Sequence, residues 1–370
     1  MKYYIISGEP SGDLHASNLA KNLFLADQEA HIRAWGGHLL RQAGAEVIKD
    51  YKDLAYMGFV EVATHLGKII NNFSFCKKDI LAYQPDVVIL VDYPGFNLRM
   101  AQFLHQHHIK VFYYISPQIW AWKKNRIKII KKYVDEMFVI LPFEVNFYAS
   151  KQFPVHYFGH PLLDAIKNYQ GDREFIQNNH LSEQPIIAIL PGSRKQEIQR
   201  MLPTMLAVAK KYNEYQYVIA GVENHRELYK KYVHDEHIKI VYHQTYALLQ
   251  HADAAMVTSG TATLETALFN VPQVVCYKAN YFSYHIALHL VKDIQYISLV
   301  NLIADDQVVT ELIQHDMNIN RLSFELDKIL NTEERDIMLR KYQHLHQDLG
   351  DGSASQKIAD CMIDILKNKK

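Results

Sequence analysis

Five consecutive apolar residues, Ile186 to Leu190, stop at Pro191-Gly192-Ser193-Arg194, and a polar run of helix formers follows through Arg200. A short apolar run closed by Pro-Gly reads as a buried parallel strand ending in a turn. Parallel strands need a crossover between them, usually a helix, so the junction points to layered α/β architecture. Ser193 is the expected N-cap, with Glu197 close behind it in the opening turns of the helix. Free backbone N–H groups and the helix dipole at such a corner stabilise an anion. Arg194, expected on the first turn, adds a fork of donors that suits a phosphate. Gly192, Ser193 and Arg194 are therefore candidates for holding a nucleotide diphosphate. The plainer alternative is an ordinary turn with a solvated arginine.

A second stretch has the same design. Ala254–Val257 reads as a short strand, followed by Thr258-Ser-Gly-Thr-Ala-Thr-Leu-Glu265 and a helix. Ser259, Gly260 and Thr261 offer N–H and hydroxyl donors to an anion. Glu265, one turn into the helix, is positioned to accept two ribose hydroxyls, the role an acidic residue plays in other dinucleotide sites. Helix capping is the alternative for this stretch.

The N-terminal half repeats the pattern. Tyr3–Ile6 reads as a strand and Ser7–Asp13 as a tight binding loop that includes Ser11 and Gly12, with a helix expected from about Leu14 to Ala26. The loop is neither a dinucleotide fingerprint nor a Walker A sequence. Asp86–Val91 is a nearly continuous apolar strand that ends at Asp92-Tyr93-Pro94-Gly95. A carboxylate at the C-terminal end of a central parallel strand lies where open α/β sheets bind ligands, which makes Asp92 a catalytic candidate. Pro94 and Gly95 are expected to push the following helix further along.

Two stretches suggest contact with lipid. Tyr56–Tyr83 is strongly apolar and punctuated by Lys68, Lys77 and Lys78. It reads either as a core-facing helix with snorkelling lysines or as an exposed surface for acyl chains. Lys123–Lys132, KKNRIKIIKK, carries six cations expected on one helix beside Trp120 and Trp122, as interfacial helices do at anionic headgroups. A solvated charged face is the alternative.

Composition sets the outer bounds. With 370 residues the chain suggests two domains, and an apolar share of 49% with 22% charge is ordinary for a globular protein. Forty basic residues balance forty acidic ones, so no global field invites nucleic acid. Three scattered cysteines form neither a disulfide framework nor a zinc pattern and fit a reducing cytoplasm. The opening MKYYIISGEP runs straight into a strand, and no apolar run reaches the roughly 20 residues needed to span a bilayer. Of the twenty histidines, His105-Gln-His107-His108 and the pair His285 and His289 lack partner sets at ligand spacing, so no metal site is expected. A polar stretch from Phe158-Gly-His-Pro161 to Gln184 marks the boundary, giving domains over 1–165 and 166–345 with a C-terminal helix in 346–370.

The motifs SGEPSGDLHA, VDYPGFNLR, YYISPQIWAW, FGHPLLD, LPGSRKQEI and SGTATLETAL together resemble the lipid-A-disaccharide synthases, and YISLVNLI extends the match to residue 303. The resemblance implies a GT-B glycosyltransferase: two Rossmann-like domains facing across a cleft, with the C-terminal helix packing back. It implies transfer from a UDP-activated 2,3-diacylglucosamine to 2,3-diacylglucosamine 1-phosphate, releasing UDP and forming a β-1′,6 disaccharide. Asp92 resembles the family's proposed base, Glu265 would bind the ribose, and Asn301 would lie near the catalytic centre. Val300 stands where the family pattern carries a proline. No cofactor is implied, since the UDP-sugar is a substrate. The implied setting is the cytoplasmic face of the inner membrane, with no nucleic-acid partner and with a homodimer left open. The alternatives are another UDP-sugar enzyme of the same architecture, such as a UDP-N-acetylglucosamine 2-epimerase or a muramyl-lipid transferase, or a non-catalytic nucleotide- or lipid-binding protein.

Overall fold

A computed structural model describes residues 1–54, 66–235, 237–280, 295–330 and 332–368. The chain forms two compact units, Met1–Lys167 with Leu349–Lys370, and Asn168–Asp348. Each is built on its own parallel sheet.

In the first unit the strands are β1 (Lys2–Ser7), β2 (His31–Gly36), β3 (Glu46–Asp50), β4 (Val87–Val91), β5 (Val111–Tyr114), β6 (Glu136–Val139) and β7 (His156–Tyr157). They lie in the order β3-β2-β1-β4-β5-β6-β7, all parallel. Side chains alternate across a strand, so VVILV in β4 serves two cores at once. Val88 and Leu90 join Tyr4, Ile6 and Tyr113 on one face, packed against Phe96, Met100 and Leu104. Val87, Ile89 and Val91 join Tyr3, Ile5 and Phe112 on the other, packed against Leu19, Leu23, Ile358 and Met362. The latter pair comes from the C-terminal helix Ala354–Asn368, which returns to this sheet and packs on the first helix.

In the second unit the strands are β8 (Ile186–Leu190), β9 (Gln216–Gly221), β10 (Ile238–Tyr242), β11 (Ala252–Thr258), β12 (Gln273–Tyr277) and β13 (Thr310–Ile313). Their order is β10-β9-β8-β11-β12-β13, again all parallel.

Strand order reverses between β1 and β4 in one sheet and between β8 and β11 in the other. Chains leaving neighbouring strands at a reversal depart to opposite faces and open a crevice, which is where open α/β sheets bind ligands. Ser7 pairs with Val91 and Leu190 with Val257, so the loops singled out in the sequence emerge side by side within each unit.

Two sequence expectations fall outside the described residues: the 56–65 part of the Tyr56–Tyr83 segment, and the pair His285 and His289. The rest of that segment is helix Leu66–Tyr83, with Cys76 and Ile80 buried but Ile70, Phe75 and Leu81 exposed. Lys123–Lys132 is not one helix. Lys123 is left-handed, Lys124–Arg126 is a single 3-10 turn, and the helix is only Ile127–Tyr133, with Ile130 its one buried residue. Consecutive cations repel along a helix and leave too little apolar surface to anchor a longer one. Trp122 is 40% exposed, with the Lys123 ammonium 4.2 Å from its ring centroid.

Candidate active site

The corner after β1 is tighter than the sequence suggested. Helix Pro10–Ala26 begins immediately, with extended Glu9 at its N-cap, so Ser11 and Gly12 lie on the first helical turn and not in a loop. Proline at the first helical position has its φ preset and gives up an N–H that would have no partner there. Gly12 is buried and Ser11 exposed. Asp13, which sequence reasoning passed over, is buried and accepts N–H bonds from Gly37 (2.6 Å) and Leu39 (3.1 Å). It caps the short helix His38–Gln42 and ties the loop after β2 to the corner.

The corner after β4 departs from expectation in the same way. Helix Pro94–Gln106 starts at Pro94, because Asp92 and Tyr93 make the whole turn in two residues, both left-handed, at φ 46° and 48°. That conformation costs about 1–2 kcal/mol for each non-glycine residue, so the surroundings must enforce it. The Asp92 carboxyl is pushed up to about 7, first by burial and then by the negative charge of Glu9 at the neighbouring strand end; a hydrogen bond from the Tyr93 N–H partly offsets both. A carboxyl titrating there is matched to taking a proton from a hydroxyl at neutral pH.

In the second unit, Gly192 has φ 104°, and a Cβ there would sit 2.6 Å from the Glu197 Cβ, so only glycine makes this turn. Ser193 is not the N-cap. Arg194 takes that position in an extended conformation, ahead of helix Lys195–Ala209 rather than on its first turn. The Glu197 carboxylate reaches back to accept the N–H groups of Ser193 (3.0 Å) and Arg194 (3.1 Å). An internal anion thus occupies the donors expected to serve a phosphate. The Arg194 guanidinium is 62% exposed and 3.6 Å from the same carboxylate.

At the fourth corner Gly260 caps helix Thr261–Leu268, and Gly260 and Thr261 are exposed. Among the described residues a Cβ at Gly260 would meet nothing within 4 Å. Ser259 is committed elsewhere: its N–H donates to the Cys276 carbonyl (3.1 Å) and its hydroxyl to that of Ile297 (2.9 Å). Glu265 is half-buried and accepts the Tyr246 hydroxyl (3.2 Å), and burial raises its carboxyl above the usual range.

Asn301 is fully buried in helix Leu299–Ala304. Its amide donates to the Val309 carbonyl and Glu311 (2.9 Å each), while its oxygen accepts the N–H groups of Val308 (2.8 Å) and Val309 (2.9 Å). An asparagine side chain has no further hydrogen-bonding capacity. Glu311 also takes the N–H groups of Ile297 and Ser298. Asn301 and Glu311 therefore brace the segment to which Ser259 is hooked. Val300 is buried in the same helix.

Among the described residues no group of three or more His, Cys, Asp or Glu side chains is arranged to hold a metal ion, and no helix is long and apolar enough to cross a membrane.

A sequence model described as lipid-A-disaccharide synthetase matches residues 3–365. The lipid-A-disaccharide synthase of Syntrophus aciditrophicus is 37% identical over 98% of this chain and 97% of its own. Those of Trichlorobacter lovleyi and Coxiella burnetii are each 35% identical, over 98% of this chain and 97% and 98% of theirs. The chain belongs to the lipid-A-disaccharide synthase family. It is accordingly a glycosyltransferase of lipid A biosynthesis. Its fold is shared with the Staphylococcus aureus MnaA–UDP complex (TM-score 0.70, 14% identity, 99% of this chain and 97% of that one). It is shared too with the UDP-GlcNAc 2-epimerase of Neisseria meningitidis bound to UDP-GlcNAc (TM-score 0.68, 14% identity, 98% and 100%). Two parallel α/β units of this kind are the GT-B architecture of the family.

Proposed function

We propose that the chain transfers 2,3-diacylglucosamine from its UDP derivative to the 6-hydroxyl of 2,3-diacylglucosamine 1-phosphate, with inversion. Asp92 takes the proton of the attacking hydroxyl, the new C1–O bond forms, and the bond from C1 to the diphosphate breaks. Negative charge then grows on UDP. The β8 and β11 corners stabilise it through the amides of Gly260 and Thr261, through the Arg194 guanidinium and, where the diphosphate displaces the Glu197 carboxylate, through the amides after Gly192. Glu265 accepts ribose hydroxyls. Asn301 acts indirectly, by bracing the segment that holds Ser259.

The observation that carries this reading is the left-handed turn that sets Asp92, its carboxyl pushed up by burial and Glu9, at the strand reversal of one unit of a family glycosyltransferase. The UDP and UDP-GlcNAc held by the fold neighbours support a uridine nucleotide as the leaving group. Exposed Trp122 and Ile129 beside the cations of 123–132, together with Ile70, Phe75 and Leu81, support work at an anionic lipid surface, here read as the cytoplasmic face of the inner membrane.

The test is purified protein with a synthetic diacyl UDP-glucosamine donor and its 1-phosphate acceptor, beside plain UDP-GlcNAc. Disaccharide and UDP should form in equal amounts from the acylated pair alone. Conversion of plain UDP-GlcNAc to its epimer, without disaccharide, would overturn the assignment.

A further inference from the structure

The left-handed pair Asp92-Tyr93 is held by side chains outside the turn itself. The Asp92 carbonyl accepts the Asn97 side-chain amide and the Tyr113 hydroxyl, each at 2.7 Å, which fills both of its lone pairs. Both donors are completely buried. Asn97 comes from the first turns of the helix that follows, and Tyr113 from β5, paired with Leu90 of β4. The same Asn97 amide lies 3.2 Å from the Val91 carbonyl and 3.4 Å from that of Ile6, so it reads the ends of β4 and β1 together. This fixes the orientation of the amide, since its oxygen turned that way would face three carbonyls. The Asn97 oxygen is instead buried without a hydrogen-bond partner among the described residues. An unsatisfied buried acceptor is unfavourable for stability, so asparagine here is poorly explained by packing. From the other side, a Cβ on Gly8 would come within 2.5 Å of the Tyr93 ring, which also stacks on Phe96 at 5.7 Å. The turn is closed in from both directions.

We infer that Asn97 and Tyr113 are positioning residues for the transfer reaction, holding the Asp92 main chain in its left-handed turn so that the carboxylate meets the acceptor hydroxyl. Neither touches the reacting atoms; each acts through Asp92. The inference rests on Asp92 being the base. Without its two donors the Asp92 carbonyl can rotate, the turn relaxes toward ordinary φ, and the carboxylate leaves the crevice. Misplacement by about 1 Å is enough for a 10²-fold loss of rate.

The experiment compares Tyr113→Phe, which removes one donor at nearly constant volume, and Asn97→Ala, alone and combined with Asp92→Ala, in the disaccharide assay. Each single variant should lower kcat by about 10–100-fold while KM for both substrates stays within about two-fold. In Tyr113→Phe the acidic limb of the pH–rate profile should move to lower pH, as the carboxyl escapes burial and Glu9. Added to Asp92→Ala, neither substitution should lower the residual rate further. Parent kcat in Tyr113→Phe, or a full additional loss in the Asp92→Ala background, would overturn the inference while leaving Asp92 as the base. Parent turnover in Asp92→Ala would overturn both. Melting curves of Tyr113→Phe keep a folding defect distinguishable from a loss of positioning.

Discussion

A carboxyl whose folded pKa is about 7, against an ordinary 3.8, binds its proton more tightly in the folded chain than in the unfolded one. Between those values the folded state carries more protons, so this group's contribution to stability falls as pH rises through the window. Asp92→Asn keeps the shape, tolerates the left-handed backbone and removes the charge. It should therefore raise the melting temperature at pH 8 and change it little at pH 4. Equal effects at both pH values would mean that the carboxyl is not held in this environment. The gain at pH 8 should come with lost turnover, because the strained, desolvated group is the one the reaction uses. The resemblance put Asn301 near the catalytic centre, and its side chain spends every donor and acceptor it has on Val308, Val309 and Glu311. Nothing in the letters TELI marks Glu311 as its partner, since that pairing exists only once β13 is in the sheet.

At the level of elements, strand ends were legible and helix starts were not. Ile186–Leu190 and Ile238–Tyr242 end where apolar letters give way to Pro-Gly and to His-Gln. Pro10 and Pro94, read as turn residues, instead open helices, because proline's fixed φ and missing N–H suit the first helical position as well as a turn. The strand order is invisible locally, so the sequence could not reveal that Glu9 lies close enough to lift the Asp92 pKa. The backward reach of Glu197 was equally hidden, and it makes a prediction. If the diphosphate uses the Ser193 and Arg194 amides, the Glu197 carboxylate competes with it. Glu197→Gln should tighten UDP binding by about 0.3–1 kcal/mol, the usual effect of one charge at a helix N-terminus. Arg194→Ala should weaken it by about 1.5–3 kcal/mol, as loss of a charged hydrogen bond does. Calorimetry on both variants checks this; UDP affinity indifferent to both would put the diphosphate elsewhere.

For the whole molecule, the last helix belongs to the first unit, although the second unit intervenes in the chain. Ile358, Ala359, Met362, Ile363 and Leu366 are buried on it, and full burial of each larger apolar side chain is worth about 1.5–3 kcal/mol. Asp164 fastens that helix by accepting the N–H groups of Ala354 (3.0 Å) and Ser355 (2.6 Å) from a buried position. Asp164→Ala should destabilise the protein by about 1–3 kcal/mol in urea unfolding, without changing UDP affinity. An unshifted unfolding midpoint would show that the helix is held by apolar packing alone. The sequence placed a helix in 346–370, but the surface it packs on became clear only from the first helix and the face of β1 and β4 beneath it.

The account depends on a division of labour, with nucleotide binding in the second unit and proton abstraction by Asp92 in the first. Asp92→Ala, with UDP affinity and disaccharide formation measured on the same preparation, tests it most directly. UDP should bind within a few-fold of the parent while turnover falls by about 10²–10⁴, the range for a lost general base. Turnover at the parent rate, or loss of UDP binding along with it, would contradict the account.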